Sequence, residues 1–143
     1  MSGQRLTTDN AIRDLLERAR TIAVVGLSPR PHRPSHGVAA YLQASGYRIV
    51  PVHPEGGTIL GEPVFGSLHD AVSKVGAVDI VDVFRRSDAL PDLVPQVIVV
   101  RPQALWLQLG VRDPGAESEA LTAGLDLVAD RCMLVEHQRL VSR

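Results

Sequence analysis

Between positions 26 and 36 the chain places Gly26, Ser28, Arg30, His32, Arg33, Ser35 and His36 in one short turn, V-V-G-L-S-P-R-P-H-R-P-S-H. These residue types suit an anion. A glycine at a strand end lets a ligand approach the backbone closely, and a helix start beyond it adds unpaired N–H groups and partial positive charge. Ser35 reads as the N-cap of that helix, whose apolar positions Val38, Tyr41 and Leu42 recur at helical spacing. The alternative is a surface loop whose arginines only solubilise. In D-V-F-R-R-S (82–87) Arg85 offers two N–H groups to a phosphate, and strand alternation selects it over Arg86 as the arginine turned inward. Both would otherwise be solvated or paired with Asp88. Gln108 is a lone amide in A-L-W-L-Q-L-G-V, placed either for a ligand or for backbone, and Trp106 reads as packing. Cys132 is the single thiol. It precedes a helix, where Arg131 and the helix terminus favour thiolate; inert apolar filler is the alternative. Glu136 and His137 read as capping or salt-bridge partners.

The elements that position these residues follow from hydropathy period. Residues 21–25 form a continuous apolar run, the pattern of a parallel strand covered on both faces. Residues 47–52, introduced by Gly46 at a helix C-terminus, make a second strand. Residues 78–84, 104–109 and 125–128 make a third, fourth and fifth, and 61–64 a short extended piece. Helices are expected over 8–20, with Thr8 as cap and packing on the sheet edge, and over 69–75, 89–100 and 131–140. A further helix starts at Asp113-Pro114, a cap and first-turn proline, and ends near Gly124. Pro95 predicts a kink, or a start delayed to Pro91. Strands alternating with helices imply an α/β fold: a Rossmann-like, doubly wound, parallel five-stranded sheet with helices on both faces, in a single domain. The expected strand order is 3-2-1-4-5, with ligands at the strand carboxyl ends where the order reverses.

Composition narrows the function. With 143 residues and 45% hydrophobic content the chain buries a real core, and its net charge of −1 supplies no global field for nucleic acid or an anionic membrane. Aromatics, at 3%, leave few platforms for stacking single-stranded nucleic acid. No apolar stretch approaches the ~20 residues of a membrane span, and residues 1–10 are polar, so a cytoplasmic protein is expected. A lone cysteine excludes a disulfide framework and a cysteine-rich zinc site, and the five histidines show no metal-binding motif. A dinucleotide site normally carries G-x-G-x-x-G after the first strand and an acid ending the second. Here the glycine after Gly26 is Gly37, and the second strand ends Val52-His53-Pro54, with Glu55 slightly late. Lys74 is the only lysine, so no Walker loop exists.

The segments I-A-V-V-G-L-S-P-R-P-H-R-P-S, V-P-V-H-P, I-L-G-E-P-V-F-G-S-L, D-V-F-R-R, A-L-W-L-Q-L-G-V and D-R-C-M-L-V-E-H together resemble the small stand-alone coenzyme A-binding proteins. They are similar to the CoA-binding domain of the succinyl-CoA synthetase alpha subunit. The resemblance spans residues 21–140 and implies coenzyme A as cofactor, with Gly26, Ser28, Arg33 and Ser35 near phosphate. It implies His53 and Pro54 beside the adenosine, Phe84 and Arg85 along the crevice, and Gln108 to Gly110 along the pantetheine arm. Residues 21–143 would be the CoA-binding domain and 1–20 a helix packed on it. At Val100-Arg101-Pro102 the chain departs from the small, glycine-containing helix exit usual in that family. The synthetase's phosphorylated histidine belongs to a further domain and has no counterpart motif here, and no acid, base and nucleophile set is legible. Binding of CoA or an acyl-CoA without turnover is therefore expected, by a monomer or homodimer with no nucleic acid or membrane partner, and with a Cys132–CoA mixed disulfide as the one conceivable reaction. An NAD(P)-binding enzyme or redox sensor, and a subunit working beside a ligase partner, remain the alternatives.

Overall fold

A stretch with no polar alternation can be stable only between covered faces, and Thr21–Val25 becomes β1, paired on both sides in a computed structural model that describes residues 2–141. Met1, Ser142 and Arg143, at the ends of the two expected segments, lie outside the described residues. β2 (Arg48–Val52) flanks β1 on one side and β5 (Ile80–Val83) on the other; β6 (Ala104–Leu107) and β7 (Asp126–Val128) continue the sheet, all parallel. The order is β2-β1-β5-β6-β7. A small antiparallel pair, β3 (Thr58–Ile59) and β4 (Glu62–Pro63), follows β2.

The doubly wound five-stranded α/β sheet is as expected, but its order is not. Counted over the five main strands it runs 2-1-3-4-5 rather than 3-2-1-4-5. The outer edge of β2 is already taken: Phe65 donates to the Pro51 carbonyl at 3.0 Å and accepts from the His53 N–H at 2.9 Å. The third main strand therefore pairs with the open side of β1.

The six α-helices of the described residues divide three to a face. α3 (Leu68–Val75), α4 (Leu90–Val100) and α5 (Pro114–Thr122) cover Ala23, Val25, Val81 and Val83; α1 (Asp9–Arg18), α2 (Pro34–Ala44) and α6 (Met133–Leu140) cover Ile22, Val24, Ile80 and Trp106. Alternate residues of each strand thus feed two separate cores. Thr8 caps α1, accepting the Ala11 N–H at 3.2 Å, and Ile12, Leu15 and Leu16 are buried. The edge of β7 is covered not by this helix but by the extended residues before it: Leu6 donates to the Leu127 carbonyl and Leu127 to that of Gln4. α1 packs instead against α6. A 3-10 turn, Ser87–Ala89, leads into α4, whose first turn takes Pro91 and which runs on through Pro95.

Candidate functional site

From β1 the chain moves to β2 on one side, then returns to β5 on the other, so the winding reverses between β1 and β5. The crevice of a doubly wound sheet lies outside the carboxyl ends of those strands. Gly26 closes β1 there with φ +86°, its N–H bonded to the Val52 carbonyl at 2.9 Å. A Cβ at this position would stand 2.2 Å from the Phe84 carbonyl oxygen and 3.1 Å from Arg85 Cδ. Both backbone conformation and space demand glycine.

Past Gly26 the Ser28 N–H donates to Ser35 Oγ at 3.0 Å, and Ser28 Oγ accepts the Arg30 N–H at 3.1 Å. Ser35, expected as N-cap, lies inside α2. Pro34 occupies the first helical position, which suits its fixed φ and missing N–H, and leaves Arg33 as the N-cap with no side-chain cap bond. Ser35 is buried and braces the turn instead.

Two clefts open at these strand ends. The larger, about 650 Å³, has Gly26, Ser28, Arg30, Arg33 and Ser35 on one wall and Phe84, Gln108, Leu109, Val111 and Cys132 on the other. The smaller, about 230 Å³, lies toward α3 and α4 and includes Pro54, Ser67, Arg85 and Asp92; His53 lines both. His53 Nδ1 accepts the Glu55 N–H at 3.1 Å, so a neutral ring keeps its proton on Nε2. The expected residues therefore fall into two groups around a shared histidine, with Arg85 and Pro54 in the smaller cleft. Gly110 lines neither. Its N–H donates to Asp130 Oδ1 at 2.8 Å and its carbonyl accepts from Ser87 Oγ at 3.1 Å, which makes it a tether for the loop that presents Leu109.

Arg30, Arg33 and Arg85 make no side-chain hydrogen bond or ion pair among the described residues, whereas Arg86 pairs with Asp88 at 3.0 Å. Arg85, the arginine that alternation selects, lines the smaller cleft, and Arg86 lines neither. Arg131 is engaged elsewhere, donating to Glu136 at 2.8 Å and to the Thr7 carbonyl at 3.3 Å, so Cys132, the N-cap of α6, has the helix terminus but not that guanidinium. Glu136 is a salt-bridge partner, accepting from Arg139 at 2.9 Å, but it and His137 are buried rather than on the surface, and His137 meets the Tyr41 hydroxyl at 2.7 Å.

Asp82 is not among the site residues expected from the sequence. It is fully buried in β5, accepts from Gln108 Nε2 at 2.6 Å through Oδ1, and leaves Oδ2 without a partner among the described residues. Burial pushes its carboxyl up to about 7, against the pull of the Gln108 hydrogen bond. The signal was present in I-V-D-V, a carboxylate in the middle of an otherwise apolar strand. Gln108 thus answers to a buried side chain rather than to backbone.

A cationic rim beside an apolar wall, at the reversal point of a parallel sheet, defines a Rossmann-like nucleotide-binding domain. The chain matches the CoA binding domain over residues 20–138, and it belongs to that family. The uncharacterized protein YneT of Bacillus subtilis is 37% identical over 126 residues, which cover 88% of this chain and 91% of YneT. The solved structure of cell-free ID.343 from Thermus thermophilus shares 45% identity at a TM-score of 0.89, over 94% of this chain and 99% of that one. RSP, a Rex-family repressor solved in complex with β-NADH, shares the fold alone, at 16% identity and a TM-score of 0.57 over 85% of this chain and 58% of RSP. Among the described residues no helix is long and apolar enough to cross a membrane.

Proposed function

We propose that this chain binds coenzyme A or an acyl-CoA at the carboxyl ends of β1, β2 and β5 as a cytoplasmic binding or sensor protein, without turning it over. One observation carries the reading: the unpaired guanidiniums of Arg30, Arg33 and Arg85 gather at the crevice, in a chain of the CoA-binding family. Phosphates supply the anion for these groups and for the start of α2. An uncharged pantetheine arm suits the apolar wall of Phe84, Leu109 and Val111, and the adenosine end suits the smaller cleft beside His53 and Pro54. An NAD(P) reading has only the fold in its favour, since β2 ends in His53-Pro54 and not in an acid that would hold a ribose.

Thermal-shift titration with CoA, dephospho-CoA, NAD and NADP separates the two, because a ligand that binds only the folded state raises Tm by mass action. The largest shift is expected with CoA; a larger shift with NAD would reverse the assignment.

Cys132 extends the proposal. Its thiolate attacks one sulfur of CoA disulfide, forms a Cys132–CoA mixed disulfide and releases CoA thiolate, which needs no further oxidant. Electrospray mass spectrometry after incubation with CoA disulfide should show one CoA-sized adduct, lost in Cys132→Ser. An unmodified wild-type mass would count against this step.

A further inference from the structure

Asp82 lies behind the larger cleft and Gln108 on its wall, and the hydrogen bond between them settles which end of the Gln108 amide faces a ligand. The amide nitrogen donates to Asp82 Oδ1 at 2.6 Å, with Gln108 itself only 5% exposed. Asp82 Oδ2 is the one buried side-chain oxygen or nitrogen among the described residues that lacks a partner. Among the described residues Gln108 Oε1 accepts no hydrogen bond and is not counted with the fully buried atoms that lack a partner, and Gln108 lines the larger cleft.

We infer that Asp82 is a positioning residue: by taking the Gln108 amide N–H it turns the Gln108 carbonyl oxygen into a fixed acceptor in the larger cleft, which selects ligands bringing an N–H donor there. On the CoA reading above, on which this inference rests, the donors are the secondary amides of the pantetheine arm. With Asp82 ionised, the reverse amide orientation would put a carbonyl oxygen against a carboxylate oxygen, two acceptors with no hydrogen between them. Burial favours the protonated form of Asp82, and a proton carried on Oδ2, the oxygen without a partner among the described residues, leaves Oδ1 free to accept the Gln108 N–H as it does here. A carboxylate placed this deep costs stability unless it is compensated, and among the described residues the one hydrogen bond to its side chain comes from a residue of the cleft wall.

The test is calorimetry on the full chain with two ligands, CoA and adenosine 3′,5′-bisphosphate, which lacks the arm. Asp82→Leu keeps the branched shape, with bulkier methyl groups in place of the oxygens, and removes the constraint. CoA should bind about tenfold more weakly to it, the size of one neutral hydrogen bond, while the bisphosphate binds within about twofold of wild type. Gln108→Leu should show the same selectivity, and the double variant should be no weaker than Gln108→Leu alone. Equal weakening of both ligands, additive losses in the double variant, or unchanged CoA affinity would each overturn the assignment of Asp82. A wild-type protein that binds neither ligand would instead overturn the CoA reading. Should Asp82→Leu not fold, deuterium exchange of the wild-type Gln108 side-chain amide, identified by its loss in Gln108→Leu, decides the orientation. Protection before ligand is added is expected; exchange at the rate of a free glutamine would overturn it.

Discussion

Arginines meet opposite fates in two regions of this molecule. Around the clefts Arg30, Arg33 and Arg85 stand without a partner among the described residues. Where the N-terminal residues meet α5 and α6, each arginine is matched: Arg5 and Arg112 converge on Glu117 at 2.9 and 3.0 Å, and Arg131 and Arg139 on Glu136 at 2.8 and 2.9 Å. The Glu117 and Glu136 side chains are 1% and 8% exposed, and carboxylates that deep are stable only when paired. One region consumes its positive charge to hold the N-terminal segment and the last helix in place; the other leaves it available for an anion from outside. A net charge of −1 conceals this division, since a sum says nothing of where the unmatched charges sit.

Gly26→Ala should break the comparison, because scaffold and site coincide at that residue. With φ +86° and a Cβ 2.2 Å from the Phe84 carbonyl oxygen, alanine must push β1 and β5 apart. A loss of about 3 kcal/mol in urea unfolding is expected, with weakened CoA binding in whatever still folds. A loss below ~1 kcal/mol would mean the two strand ends can part easily.

Glu117→Gln should act on the scaffold alone, costing about 2–3 kcal/mol of stability and leaving CoA affinity unchanged. Burial pushes the Glu117 carboxyl up, but hydrogen bonds from Arg112, Arg5 and the Asp113 N–H outweigh it and hold it at about 2, below its ordinary 4.5. A carboxyl depressed in the folded state stabilises fully above its unfolded value and loses that contribution as pH falls through the folded one. The gap in stability between wild type and Glu117→Gln should therefore close between about pH 4.5 and pH 2. A gap that stays constant across that window would remove Glu117's charge from the scaffold. Arg85→Ala is the mirror image. CoA binding should weaken by about 1–3 kcal/mol while the ligand-free Tm stays put. Unchanged affinity in calorimetry would take Arg85 out of the site.

Local features of both regions were legible in the sequence, and long-range ones were not. The apolar run of β1, the glycine that ends it, the Thr8 cap and the Asp113-Pro114 start, where Asp113 accepts the Ala116 N–H at 2.8 Å, depend on a few adjacent residues. The strand order depends on which edge of β2 is free, and that is decided by Phe65, thirteen positions beyond Val52, an attachment no periodicity reveals. Ser35 misleads because its cap preference competes with the stronger constraint of Pro34 beside it. Gly110 reads as a ligand-facing turn, yet Asp130 and Ser87, twenty and twenty-three residues away, claim its backbone groups. Asp82 and Gln108 are each plain in the sequence, but their pairing across neighbouring strands needed the register of β5 and β6.

The smallest expected effect separates backbone strain from both charge regions. Arg101 closes α4 in the left-handed conformation, φ 54° and ψ 58°, with its N–H on the Val97 carbonyl at 3.0 Å. That is where helices favour glycine. A side chain in this conformation costs about 1–2 kcal/mol, and glycine's added freedom in the unfolded chain cancels roughly half of the relief. Arg101→Gly should therefore gain about 0.5 kcal/mol. CoA affinity should not move, because α4 leaves the sheet at the carboxyl ends of the strands and finishes at the opposite end. Arg101→Ala keeps the Cβ and should gain nothing. If alanine stabilised as much as glycine, the benefit would come from removing a cation rather than relieving the backbone.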